Sequence, residues 1–118
     1  MPLVAADDGV WRDCRTCHVV ESPGGEVLAR GGRSGPNLYG IAGAPIAGDG
    51  NFRFYTDDLR AAGATGARWN ESNFVAYMSD PDQFLQEVTN NPDAEGGMHV
   101  QLRSGARDVF EFLQSLSE

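Results

Sequence analysis

The clearest periodic pattern lies at the end of the chain. Ala106, Val109, Phe110, Leu113 and Leu116 recur at helical spacing, and Phe112 widens the stripe. Ser104 stands where an N-cap is wanted, so this segment is predicted as the last helix. Asn70 is placed to cap another helix, with Phe74, Val75, Tyr77 and Met78 among its apolar positions. Asp80 and Pro81 together mark the start of a third, carrying Phe84, Leu85 and Val88. A short helix begins at Thr56 or Asp57, runs through Ala62 and is ended by Gly63. Asp7 or Asp8 caps a first helix that turns Val10 and Trp11 inward, one turn before Cys14.

Between these segments the pattern breaks down. From Val19 to about Asn51 no helix is visible, and Pro23-Gly24-Gly25, Gly31-Gly32, Gly35-Pro36 and Gly48-Asp49-Gly50 read as turns. Thr89 to Leu102 is a second irregular stretch, with Asn91-Pro92 and Gly96-Gly97. The prediction is an all-α fold of four to five short helices and long loops, in one domain over residues 1–118. A loop of roughly thirty residues normally counts against such an assignment, unless something other than the chain itself fills the centre.

The chemistry that could fill it stands at Cys14-Arg15-Thr16-Cys17-His18, which reads C-x-x-C-H, the signature for covalent haem attachment. Two thiols at this spacing can each add across one vinyl group, giving two thioether bonds. The adjacent His18 then sits under the iron and offers an imidazole nitrogen. A thioredoxin-like redox pair is one rival, but it wants a buried strand before the first cysteine, and none precedes Cys14. A zinc site drawn from Cys14, Cys17, His18 and His99 is another. Neighbouring Cys17 and His18 make a strained pair of tetrahedral ligands, and His99 lacks the usual H-x-H spacing.

Composition narrows the partners. The 118 residues carry a formal charge of −8, and all nine basic residues are arginines, with no lysine. Nucleic acid and anionic membrane surfaces are therefore poor partners, and the acidity itself serves solubility. No stretch is long or apolar enough for stable membrane insertion. The 15 glycines, about twice the average share, fit a chain rich in loops. Met1–Ala6 is too short for a signal peptide and lacks a basic leading region, so on the haem reading an export signal has been removed or replaced.

The chain resembles a class I cytochrome c, of the larger cytochrome c2 type found in photosynthetic bacteria and similar to the mitochondrial carrier. The resemblance spans essentially the whole chain. It rests on Cys14-Arg15-Thr16-Cys17-His18, Gly35-Pro36-Asn37-Leu38-Tyr39-Gly40, Gly63-Ala64-Thr65-Gly66 with Trp69, Tyr77 before Asp80-Pro81, and Gly97-Met98 before the last helix. It implies the cytochrome c fold wrapped around one haem c, attached through Cys14 and Cys17. It implies that the first and last helices cross, here through Trp11 against Val109, Phe112 and Leu113. It also implies a soluble monohaem carrier that is not an enzyme, shuttling single electrons by outer-sphere transfer. Its location would be periplasmic and its state monomeric. Its partners would be redox proteins, with a donor such as a bc1-type complex and an acceptor such as a photosynthetic reaction centre or terminal oxidase.

For the second axial ligand the residues offer Met78, Met98 and His99. Met78 sits in an apolar helix, where methionine is most often packing. Met98 follows two glycines, which let backbone approach a flat cofactor, and the family's ligand occupies this place. The resemblance thus implies His18 and Met98 as metal ligands, a pair that raises the reduction potential relative to bis-histidine. It implies further that the Pro36 carbonyl accepts from His18, that the Trp69 indole reaches a propionate, and that the Tyr77 hydroxyl lies near the Met98 sulfur. Tyr55 is a second propionate candidate, in an ambiguous register with Phe54.

Two departures stand out. Where the family commonly has an arginine near the inner propionate, this chain has Ala44, which lowers the potential unless another arginine substitutes. Where the family rings its electron-transfer face with lysines, this chain has none, so its partner's docking surface is expected to be basic or largely apolar. A haem domain with a weak Met98 bond, open to a gas or peroxide, is the runner-up reading. A colourless zinc module is the third.

Overall fold

The structure is a computed structural model and describes residues 10–96, 102 and 105–117. Helical backbone at Val10 and Trp11 is all that is described of the first predicted helix, and its caps at Asp7 or Asp8 lie outside the described residues. Four helices follow: α1 (Asp57–Ala64), α2 (Glu71–Ser79), α3 (Pro81–Thr89) and α4 (Ala106–Leu116).

Local chemistry explains where α2 and α3 begin. The Asn70 side chain accepts from the Asn73 amide at 2.8 Å, and the Asn73 side chain accepts from the Asn70 amide at 2.7 Å, a reciprocal cap that satisfies two donors the helix leaves free. Asp80 Oδ1 accepts from the Gln83 amide at 3.1 Å, with Pro81 in the first turn, where its missing N–H costs nothing. Asn90, at φ 55°, ends α3 in the left-handed conformation. The cap of α4 differs from expectation. Gly105 holds that place, at φ 85° and without a side-chain bond, while Ser104 lies outside the described residues.

Helix α1 also departs from its prediction. Thr56 caps it, accepting from the Leu59 amide at 3.2 Å, but Gly63 does not end it. The helix runs on to Ala64, and Gly66, at φ 86°, makes the turn. Gly63 is needed for another reason: a Cβ there would lie 2.2 Å from the carbonyl oxygen of Ile46, which is 2% exposed. Alanine at a helix interior ordinarily gains about 1 kcal/mol over glycine. Here overpacking against a fixed backbone costs more than that gain, so Gly63→Ala is expected to destabilise by roughly 1–2 kcal/mol. Thermal unfolding should show a midpoint lowered by several degrees, and a raised midpoint would contradict the packing argument.

The region from Val19 to Asn51 holds more structure than the sequence predicts. Strands β1 (Val20–Glu21) and β2 (Val27–Ala29) pair antiparallel, Val20 with Ala29 and Glu21 with Val27, with a bulge between. Two and three residues are too few to show a period of two, which is why the pattern hides them. The fold remains all-α in class, with this short hairpin added to it. The Asn37 side chain secures the hairpin, accepting from the Glu21 amide at 3.0 Å and donating to the Glu21 carbonyl at 2.9 Å. Further along, residues 43–46 pair with 67–69 through Gly43 N–H to Trp69 O at 2.7 Å, Trp69 N–H to Ala44 O at 2.9 Å and Ile46 N–H to Ala67 O at 3.1 Å.

The core gathers where these parts meet. The predicted apolar stripe of α4 is buried at Ala106, Val109, Phe110, Phe112, Leu113 and Leu116. Trp11 packs on Phe112 with ring centroids 5.9 Å apart, the crossing anticipated between the two ends of the chain. Trp69 stacks on Phe84 and meets Tyr77 edge-on at 5.2 Å, while Phe74 of α2 meets Phe110 of α4 at 5.3 Å.

A cavity lined by the cysteines, His18 and aromatic residues

The C-x-x-C-H stretch is helical turn. The Trp11 carbonyl accepts from the amides of Cys14 and Arg15, and the Cys14 carbonyl accepts from those of Cys17 and His18. That winding brings Cys14, Cys17 and His18 onto one side, where all three line a cavity of roughly 400 Å³. Cys14 is half-buried and Cys17 exposed. Burial, with the neighbouring Asp13 charge, pushes the Cys14 thiol up to about 11, so it is not a ready thiolate for redox exchange or metal binding.

The segment 31–36 wraps the other side of His18. Its path is pinned by Gly32 N–H to Arg15 O at 2.9 Å and Gly35 N–H to Cys17 O at 2.7 Å. Gly35 presses so closely that a Cβ there would lie 2.4 Å from His18 Cε1. One residue on, the Pro36 carbonyl lies 2.8 Å from His18 Nδ1. A carbonyl only accepts, so this contact needs the proton on Nδ1 and leaves the lone pair on Nε2. Burial lowers the His18 pKa while the Pro36 bond opposes it, and the lowering favours the neutral imidazole a metal requires.

The remaining walls come from distant parts of the chain. Pro36, Tyr55, Trp69 and Tyr77 all line the same cavity, with Leu38, Ile41 and Leu59 supplying apolar surface. The Tyr55 hydroxyl accepts from the Asp49 amide at 3.0 Å, which leaves its own proton to donate. Burial pushes the Tyr55 hydroxyl up, and burial together with the Asp82 charge pushes Tyr77 up to about 12, so both stay protonated donors. Among the described lining residues Asp13 is the only charged one. Arg68 lies beside the place of the missing arginine, donating to the Gly43 carbonyl at 3.0 Å, but does not line the cavity.

A flat, largely apolar group bearing two carboxylates fits this donor set. The thiols and the imidazole stand at one side, with the Tyr55 hydroxyl and the Trp69 indole among the other walls. Of the residues singled out from the sequence, Met98 and His99 lie outside the described residues. Met78, the rival methionine, is 5% exposed and does line the cavity. Two contributors escaped the sequence reading. Gly35 was visible only as part of a motif, and its contact with the imidazole depends on a fold across 17 residues. Asn37 stood in the same motif with no role of its own, which its bonds to Glu21 supply.

No protein-family model matches the chain. Curated relatives do. The cytochrome c-551 of Roseobacter denitrificans is 42% identical over 114 residues, covering 97% of this chain and 81% of the relative. A cytochrome c2 of Cereibacter sphaeroides is 36% identical over 110 residues, covering 91% and 89%. Among solved structures, the cytochrome c2 of Rhodobacter capsulatus superposes with a TM-score of 0.89 at 34% identity, covering 97% of both chains.

Proposed function

Because the chain belongs to the class I cytochrome c family, with the cytochromes c2, we propose that it shuttles single electrons with His18 and Met98 as the two axial ligands. It is a c-type cytochrome, an electron carrier with no catalysis of its own, that holds one haem c through Cys14 and Cys17 and acts with redox partners. The observation that carries the ligand reading is the convergence of both thiols and a Nε2 lone pair on one apolar cavity.

The group supplies one-electron exchange at iron when bound. The chain's residues set the conditions. The Pro36 carbonyl fixes the His18 tautomer and raises the basicity of the ring. The Met98 thioether is a soft ligand that favours the ferrous state and raises the potential. With His18 and Met98 both holding the iron, no substrate would reach it and transfer would be outer-sphere. Tyr55 and Trp69, which line the cavity, would donate to the group's propionates, and Tyr77 would supply a donor for the Met98 sulfur. No arginine lines the described cavity, so unless another arginine substitutes the propionates would be balanced by neutral donors, and the potential would lie below that of a relative with an arginine there.

We place the carrier in the periplasm, as a monomer. Its donor is a bc1-type complex and its acceptor a reaction centre or terminal oxidase. Docking occurs near the exposed Cys17 edge, on a partner surface that is basic or apolar, because this chain is lysine-free with a charge of −8. A visible and far-red spectrum of the ferric protein, followed by dithionite, tests the ligand reading. Low-spin bands on reduction, preceded by a weak far-red sulfur-to-iron band, are expected. Binding of carbon monoxide by the reduced protein would overturn the closed axial site.

A further inference from the structure

Two carboxylates from different helices converge on consecutive amides just before Met98. Asp58 Oδ2, in the first turn of α1, accepts from the Glu95 amide at 3.0 Å across 37 positions. Asp82 Oδ1, in the first turn of α3, accepts from the Gly96 amide at 2.7 Å. The same short segment is held in shape by other means. Gln86 Nε2 donates to the carbonyl of fully buried Ala94 at 3.2 Å, and Gly96 presses on Pro81, where a Cβ would lie 2.4 Å from the ring. On the far side, the Leu102 amide donates to the Met78 carbonyl at 2.7 Å. The described residues on either side of 97–101 are thus tied down, Gly96 on α3 and Leu102 at the end of α2.

We propose that Asp58 and Asp82 are positioning residues of the axial site, holding residues 95–96 so that the Met98 thioether stays seated. The proposal rests on the reading of Met98 as ligand. Its physical content is a difference between two states. In the structure both amides are paired to carboxylates, which make stronger hydrogen bonds than neutral acceptors do. A release of the thioether that moved residues 95–96 would give these bonds up to water. Only interactions that differ between seated and released states can bias the equilibrium between them, and these two do. Packing of Gly96 on Pro81 sets the shape of the segment, and the carboxylates set its hold.

The test is competition by imidazole for the ferric iron, because imidazole binds only where the thioether has left. The double variant Asp58→Ala/Asp82→Ala is expected to bind imidazole about tenfold more tightly than wild type, and each single variant about threefold. Asp82→Asn keeps an acceptor oxygen and should return within about twofold of wild type, which also serves if the double variant does not fold. Asp57→Ala removes a carboxylate from the same first turn of α1 that has no hydrogen bond among the described residues, and should leave the affinity unchanged. Wild-type affinity in both Asp58→Ala and Asp82→Ala, in protein that shows the far-red band, would overturn this proposal and leave the ligand assignment standing. Absence of the band in wild type would overturn the ligand assignment, and the proposal with it.

Discussion

Replacing Met98 by leucine is expected to remove the far-red band of the ferric protein and to lower the reduction potential by on the order of 0.1–0.3 V, a fraction of the ~0.8 V range over which axial ligands set haem potentials. Leucine is close to methionine in volume but has no lone pair, so the change in bulk is small and ligation through Met98 would be lost. With the sixth position vacant, the ferric state is no longer disfavoured by a soft ligand and the potential falls. Exogenous ligands should then bind freely, carbon monoxide to the reduced protein among them. Met78→Leu is the necessary companion. Met78 is buried and lines the cavity, so among the described residues it is the methionine that stands at the site. As a packing residue it tolerates leucine at a cost below about 1.5 kcal/mol and leaves the band in place. The opposite pair of results would assign the ligand to Met78 and make Met98 a loop residue.

Gly35→Ala is expected to strike the His18 imidazole directly, where the comparable glycines Gly31 and Gly63 press on backbone carbonyls. The added Cβ would stand 2.4 Å from His18 Cε1 and 2.8 Å from Nδ1. Neither side can give easily. The imidazole is held by Pro36 O at 2.8 Å, and the Gly35 amide is committed to the Cys17 carbonyl at 2.7 Å. Relief requires moving the 35–36 backbone outward and breaking one of those bonds, at a combined cost of about 3 kcal/mol. The unfolding midpoint should drop by on the order of 10 °C. Loss of the Pro36 bond makes the imidazole a weaker donor to the iron, so the potential should rise in the same variant. Gly50, where a Cβ would meet nothing within 4 Å, provides the control, and Gly50→Ala should alter neither quantity. A Gly35→Ala protein with wild-type melting would mean that the segment 31–36 slides freely over His18.

The sequence was most legible where structure depends on neighbours. Asn70, the Asp80-Pro81 pair and the stripe from Ala106 to Leu116 are read by rules that span three or four residues, and the helices stand where those rules place them. The C-x-x-C-H motif is equally local. What the residues do across the fold was harder to see. Gly63 looked like a helix terminator because glycine often is one. Its actual constraint is the Ile46 carbonyl, 17 positions away. The hairpin at Val20 to Ala29 is too short to carry a period, and it is held by Asn37 from outside. Asp58 and Asp82 stand in the first turns of α1 and α3, where acidic residues are common. Nothing nearby in the chain signals that their partners are the amides of Glu95 and Gly96.

The meeting of Trp11 and Phe112 bears on how quickly the molecule assembles. These rings touch although about a hundred residues separate them. Bringing such distant points together costs about 4 kcal/mol of chain entropy before any contact repays it. A helical protein usually folds fast because its contacts are local, but this one sets a long closure between its ends. Its rate should therefore resemble that of mixed folds rather than of simple bundles. The Trp11 indole also donates to the Arg30 carbonyl at 2.7 Å, which recruits the hairpin into the same closure. Joining of the two ends is thus a bottleneck through which hairpin, first helix and α4 pass together, and mutations at Trp11 or Phe112 would slow folding as well as weaken the product.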